Sequence, residues 1–181
     1  MSAGPNVALV RPSAGDAEEF AAAVRASRTL HGRWVAAPAD AEAYASYVAR
    51  LGGPDHDGFL LRHGAAGTLA GVVNLNNIVY GSLRSAYLGY YAFAGGEGRG
   101  LLTEGVGLVV SHAFGRLGLH RVEADIQPGN ERSRRLAARL GFRNEGVARR
   151  LLYIGGDWRD HERWAVLRED WAWRPGADLR D

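Results

Sequence analysis

The sequence predicts a single mixed α/β domain built on one mostly antiparallel central sheet flanked by helices. Three observations predict it. Short β-rich runs recur between glycine-containing turns. Two of them, Leu69–Ile78 and Ser85–Phe93, follow each other as a hairpin, and a long apolar helix then separates the second from the alternating run Leu119–Ile126. The length of 181 residues suits one domain, and 46% hydrophobic with 23% charged residues is ordinary for a chain with a full core.

The elements follow in order. Val7–Val10 reads as the first strand, closed by Pro12. Ser13 is placed to cap a helix running from Asp16 towards Leu30, with Asp16, Glu18 and Glu19 against the positive end of its dipole. A second helix starts after Pro38, carries Tyr44, Tyr47 and Leu51, and stops at Gly52-Gly53-Pro54. Gly58–Arg62 and Leu69–Ile78 read as strands joined by the turn Gly64–Gly67, and a hairpin through Gly81 leads to Ser85–Phe93. Leu102, Val106, Val109, Val110, Ala113 and Leu117 then share one helical face, ended by Gly118. In Leu119–Ile126, Val122, Ala124 and Ile126 point one way and Arg121, Glu123 and Asp125 the other. Asn130 precedes a short Arg-rich helix ending at Gly141. Phe142–Ile154, the turn Gly155-Gly156-Asp157 and a last strand Arg163–Leu167 form a closing hairpin. Residues 1–174 therefore read as one domain, and the tail 175–181 as frayed.

Composition excludes several classes. There is no Cys, hence no disulfide scaffold, no thiolate-bound zinc and no cysteine nucleophile. The six histidines have no metal-like spacing, so no metal site is expected. No run approaches the roughly 18 apolar residues of a membrane span, and Met1–Arg11 lacks the apolar core of a signal peptide. A cytoplasmic protein without membrane contact is expected. All 22 basic residues are arginines, against 20 acids, for a net charge of only +2. Acids and bases are interleaved, so a broad nucleic-acid surface is not indicated.

Gly95-Gly96-Glu97-Gly98-Arg99-Gly100 lies between a strand and an apolar helix. Glycines let backbone amides converge on an anion, and a helix start adds partial positive charge. The segment is a candidate phosphate cradle. The Gly-Lys-Ser/Thr of a nucleotide-hydrolysing loop and the Gly-x-Gly-x-x-Gly of a dinucleotide fold are both missing.

These residues, with others in order, resemble a family. Leu88-Gly89-Tyr90, then Gly98-x-Gly100 with Thr103-Glu104, is similar to the pyrophosphate loop of the Gcn5-related N-acetyltransferases. Asn74-Leu75-x-Asn77, Leu119-His120-Arg121, Asn130-x-x-Ser133, Leu140-Gly141-Phe142, Glu145-Gly146-Val147, Gly156–His161 and Asp170-Trp171 resemble its ribosomal-protein-alanine, or RimJ-like, branch. Gly95 and Glu97 depart from the family pattern, which commonly has Gln or Arg at the first and Gln at the second. The resemblance implies a sheet splayed between its fourth and fifth strands and acetyl-CoA as co-substrate. It places coenzyme contacts at Tyr91, Ala92, Phe93, Gly96, Gly98, Arg99, Gly100, Leu101 and Asn130. It gives Ser133 the role of hydrogen-bonding or protonating the departing thiolate.

Acetyl transfer to an amine needs a neutral nucleophile, a polarised carbonyl, a proton route and a stabilised leaving group. Without a cysteine, direct attack in a ternary complex is expected. The acceptor implied is the α-amino group of a protein N-terminus, with possible ribosomal association. The alternatives are a small amine (polyamine, aminoglycoside or amino-acid derivative) and a non-catalytic coenzyme-binding or RNA-docking module. Glu123, with Asp125 beside it, is the candidate base; the alternative is a charged strand face paired with Arg121 or Arg143. Trp34, Asn76, Tyr90, Trp158 and Asp160 are candidates for the acceptor wall. Arg132, Arg134, Arg135 and Arg139 could meet coenzyme phosphates, an acidic partner or RNA. A monomer and a homodimer both remain open.

Overall fold

A computed structural model of the chain describes residues 6–174. The tail expected to fray lies outside the described residues. Seven strands form one sheet: β1 (Val7–Val10), β2 (Asp57–His63), β3 (Thr68–Val79), β4 (Ser85–Ala92), β5 (Arg121–Ile126), β6 (Arg143–Ile154) and β7 (Asp157–Leu167). Their order is β1-β2-β3-β4-β5-β7-β6. Every neighbouring pair is antiparallel except β4 and β5. That parallel pair is held only over Ser85↔Arg121, Ala86↔Val122 and Tyr87↔Glu123, so the strands part after Tyr87 and the expected splay is present.

Strand alternation sends side chains into two cores. On one face, α4 (Leu101–Gly115) buries Val106, Val109, Val110 and Ala113 against Leu61, Val73, Leu75, Leu88, Val122 and Ala124. On the other, α1 (Ala17–Ala26) and α3 (Ala41–Leu51) bury Phe20, Tyr44 and Tyr47 over Leu60, Val72 and Phe93. Asp40 caps α3 by accepting from the amide of Ala43 at 2.8 Å. Each fully buried Leu or Phe contributes about 1.5–3 kcal/mol.

The helix expected over Asp16–Leu30 is instead three pieces. A 3-10 turn at Ala14–Asp16 is capped by Ser13, α1 follows, and α2 (Arg28–His31) starts after a break at Ser27. The Ser27 hydroxyl donates to the carbonyl of Ala23 at 2.6 Å, a back-bond that competes with helix continuation. Two further boundaries differ. Helix α4 ends at Gly115, before Gly118, and β7 begins at Asp157, because Ile154↔Asp157 already pair across the turn.

Packing along α4 leaves no room at Gly105, where an added Cβ would lie 2.4 Å from Leu61 Cδ1. Alanine is favoured over glycine inside a helix by about 1 kcal/mol. Overpacking against the fully buried Leu61 costs about 1–3 kcal/mol. Gly105→Ala is therefore expected to destabilise the protein by about 1 kcal/mol in chemical denaturation. A stabilised variant would show that Leu61 moves aside freely.

No described helix is long and apolar enough to cross a membrane.

Candidate active site

The parting of β4 from β5 creates the site. The amide of Phe93 donates to the carbonyl of Ala70 at 2.8 Å, so Phe93 and, by alternation, Tyr91 direct their main-chain groups towards β3. Leu88, Tyr90 and Ala92 therefore present theirs to the opening. Of the three residues the resemblance offered for backbone contacts, Ala92 alone has its main chain on that side. The Phe93 side chain is 1% exposed in the second core.

Beyond β4, the glycine loop leads into α4. Gly95, Gly98 and Gly100 have φ of +87°, +74° and +75°, a region L side chains seldom enter. Nothing lies within 4 Å of where a Cβ would sit on Gly98 or Gly100. Gly96 is glycine for another reason: a Cβ there would lie 2.9 Å from the carbonyl oxygen of Ala70. The first amides of α4 have no intrahelical acceptors and are available to an anion.

The far wall is α5 (Glu131–Arg139), whose start is capped by Asn130 accepting from the amide of Ser133 at 3.3 Å. Its orientation is fixed from behind. Oε2 of Glu162 on β7 accepts from Arg134 Nε at 3.0 Å, Asn144 Nδ2 at 3.1 Å and Trp164 Nε1 at 3.0 Å. Opposite, the Tyr90 hydroxyl lies 2.7 Å from Ser133 Oγ. Burial pushes the Tyr90 hydroxyl up to about 12, so it stays protonated through the neutral range.

Loop and helix share a cleft of about 1170 Å³, larger than the usual 300–1000 Å³ of small-molecule pockets. Tyr90, Tyr91, Ala92, Gly96, Gly98, Gly100, Asn130, Ser133 and Trp34 line it. Arg132, Arg135 and Arg139 line it too, and none of the three forms an ion pair among the described residues. Arg134, by contrast, is paired with Glu131 and Glu162. The spacing 132, 135, 139 is one helical face, a signal present in the sequence.

The carboxylates of β5 divide. Glu123 Oε2 accepts from Arg163 Nη2 at 2.6 Å and from Arg121 Nη2 at 3.3 Å, so its lone pairs are committed. That is the paired strand face, with Arg163 joining Arg121, while Arg143 pairs instead with Asp170 at 3.3 Å. Asp125 stands two residues on, just past the last pairing of β4 with β5, with a side chain 11% exposed. Its Oδ1 is buried without a hydrogen bond, 3.7 Å from Arg163 Nε. Burial raises the Asp125 carboxyl above the ordinary range, partly opposed by Arg163.

Other expected site residues stand elsewhere. Arg99 is exposed and does not line the cleft, and Leu101 is 5% exposed in the main core. Asn76 faces Tyr87 within the sheet. Trp158 is exposed on the β6–β7 hairpin, edge-on to Tyr153, and Asp160 accepts from the amide of Arg150 at 2.8 Å. None of these three lines the cleft. His31 lines it without any signal in the sequence, since a lone histidine at the end of a one-turn helix carries no periodicity.

Residues 6–143 match the family model described as "Acetyltransferase (GNAT) domain". The chain is 43% identical over 102 residues to the probable N-acetyltransferase YjcK of Bacillus subtilis, covering 56% of each. It is 40% identical over 104 residues to the ribosomal protein uS5-alanine N-acetyltransferase of Escherichia coli, covering 58% of this chain and 54% of that protein. These matches thus span about half the length of the curated relatives. The structure of Mycobacterium smegmatis RimJ in complex with CoA-disulfide superposes with a TM-score of 0.86 at 26% identity, over 94% of this chain and 86% of that one. A fold with the parallel β4–β5 split, a glycine loop at its mouth and a family model matched over most of the sequence together place this chain in the family of GNAT acetyltransferase domains.

Proposed function

We propose that this protein is an acetyl-CoA-dependent N-acetyltransferase that acylates the α-amino group of a protein N-terminus by direct attack. The observation that carries the reading is one continuous cleft lined by the glycine loop, by Arg132, Arg135 and Arg139, which form no ion pair among the described residues, and by the Tyr90–Ser133 hydroxyl pair. Its residues fit the coenzyme. Gly98 and Gly100 leave an open cradle, the start of α4 offers amides, and Arg132, Arg135 and Arg139 offer charge to phosphates. The outward main-chain groups of Tyr90 and the outward amide of Ala92, whose carbonyl is held by His31, are offered to an extended amide chain. The protein acceptor is supported by the ribosomal-protein relative and the RimJ neighbour.

Bound acetyl-CoA would supply the electrophilic thioester carbon and a thiolate leaving group. The protein's own groups handle the protons. Tyr90, protonated and 2.7 Å away, donates to Ser133 Oγ and frees the serine hydrogen for the leaving sulfur. Asp125, raised by burial, with no hydrogen bond at Oδ1 and 3.7 Å from Arg163 Nε, lies behind the cleft lining and accepts, through an intervening water, the proton released by the amine as the new C–N bond forms. Glu123 holds Arg121 and Arg163 in place and takes no proton in this scheme. The demand on the base is modest. An α-amino group has a pKa of about 7.7–8.0, so roughly a tenth is already neutral at pH 7.

The test offers labelled acetyl-CoA with peptides beginning Ala, Ser or Met beside spermidine and an aminoglycoside. The expected result is label on the α-amine of the Ala peptide. Label on small amines alone overturns the acceptor assignment. In parallel, Gly98→Asp places a carboxylate and an L side chain at φ +74° in the loop. Calorimetry is expected to show at least a tenfold loss of CoA affinity; unchanged affinity would put the coenzyme elsewhere.

A further inference from the structure

Once β4 has left β5, the outer edge of its last residues has no neighbouring strand. A free edge of this kind sways unless something holds it, and whatever it binds must then supply the ordering. Two side chains hold it here, Ser27 from the break between α1 and α2 and His31 from the last position of α2. Nε2 of His31 lies 2.9 Å from the carbonyl oxygen of Ala92. A carbonyl oxygen only accepts, so Nε2 carries the hydrogen. Two residues further, where the strand becomes the glycine loop, the amide of Ala94 donates to Ser27 Oγ at 2.9 Å, and that hydroxyl donates to Ala23 at 2.6 Å. The two holders are themselves tied, since the amide of His31 donates to the carbonyl of Ser27 at 2.8 Å.

Both side chains are buried, Ser27 at 1% and His31 at 5% exposure. The imidazole packs edge-on to Tyr91, with ring centroids 5.3 Å apart, and tilted against Phe93 at 6.0 Å. A site that only needed filling would be better served by leucine, which carries no polar atom to desolvate. The polar groups are spent instead on main-chain atoms of the coenzyme strand. The break that looks like a helix defect is thus what aims both donors and acceptors at that strand.

We propose that Ser27 and His31 are positioning residues that clasp the free edge of β4 and the start of the glycine loop in the conformation that binds coenzyme. This rests on the acetyl-CoA reading above and assigns the pair to coenzyme affinity, with no part in the chemical step.

The test measures CoA binding by calorimetry and steady-state acetyl transfer. His31→Leu is expected to raise the Kd and the KM for acetyl-CoA about tenfold while kcat at saturation stays within about twofold. His31→Gln, which keeps an N–H donor of similar reach, is expected to recover affinity to within about threefold of the native protein. Ser27→Ala removes one oxygen, leaves the packing otherwise intact, and is expected to weaken CoA binding about fivefold; Ser27→Thr is expected to preserve it. The clasp is overturned if His31→Leu or Ser27→Ala binds CoA like the native protein, or if Gln and Leu at position 31 behave alike. A native protein that binds no CoA overturns the coenzyme reading itself, a result visible before any variant is made.

Discussion

Ser133→Ala is expected to lower kcat for acetyl transfer about 10²- to 10³-fold, with CoA affinity within about twofold of native. General-acid assistance is typically worth 10²–10⁴-fold, and Ser133 sits where that assistance would be given. Its place is secured twice. Asn130 accepts its amide, and the Tyr90 hydroxyl meets its Oγ at 2.7 Å. The Tyr90 hydroxyl is also 3.3 Å from the Ser133 carbonyl, a longer and weaker alternative acceptor. With Tyr90 donating to Oγ, the serine hydrogen is directed away from Tyr90 and into the cleft. Tyr90→Phe should then cost less than the serine change, about tenfold, because water can replace the donor. Binding is separable from this chemistry because the glycine loop and the arginines of α5 offer amides and charge to phosphates, and removing one serine hydroxyl leaves all of them in place. Rapid-quench turnover beside calorimetry distinguishes the effects. A native rate in Ser133→Ala removes the leaving-group role, and a parallel loss of CoA affinity makes the residue a binding group.

How much of this was legible in the sequence depends on the range of the interaction. Elements whose character is local were readable. The alternation of Val122, Ala124 and Ile126, the helical face of Val106, Val109, Val110 and Ala113, and the cap at Asn130 all appear where expected. The break at Ser27 was not, because neither Gly nor Pro causes it. Its hydroxyl bonds back to Ala23 and forward to Ala94, a residue 67 positions away. Candidate site residues follow the same rule. Ser133 and the glycine loop carry their own motif, and both line the cleft. Trp158 and Asp160 sit on a hairpin whose register is set by pairing between β6 and β7, and that register carries them away from the cleft. Glu123 and Asp125 look alike along β5. What separates them is Arg163, which bonds Glu123 at 2.6 Å but stands 3.7 Å from Asp125. The four arginines of α5 divide for a similar reason, since Glu162, 28 residues from Arg134, takes that one alone.

Asp125→Asn separates function from stability by sign. The variant is expected to lose about 10²-fold in kcat at neutral pH while unfolding at a higher temperature than the native protein. The kinetic half follows from losing the proton acceptor, and the acidic limb of the native pH–rate profile should disappear with it. The stability half follows from linkage. Desolvation raises the Asp125 carboxyl in the folded protein above its unfolded value, and Arg163 offsets this only in part. The folded state therefore binds more protons than the unfolded state between those two values, so stability falls as pH rises through that window and stays reduced above it. Asparagine carries no charge to desolvate and removes the penalty. The gain should vanish below the unfolded carboxylate value of about 3.9, where both forms of the native group are protonated. Glu123→Gln is expected to move the other way. It deprives Arg163 of its charged main acceptor and leaves Arg121 to Glu145, so unfolding temperature should fall while the pH–rate profile keeps its shape. Opposite signs for two carboxylates two residues apart on one strand is the outcome that assigns the base to Asp125. A pH–rate limb lost in Glu123→Gln and retained in Asp125→Asn would move it to Glu123.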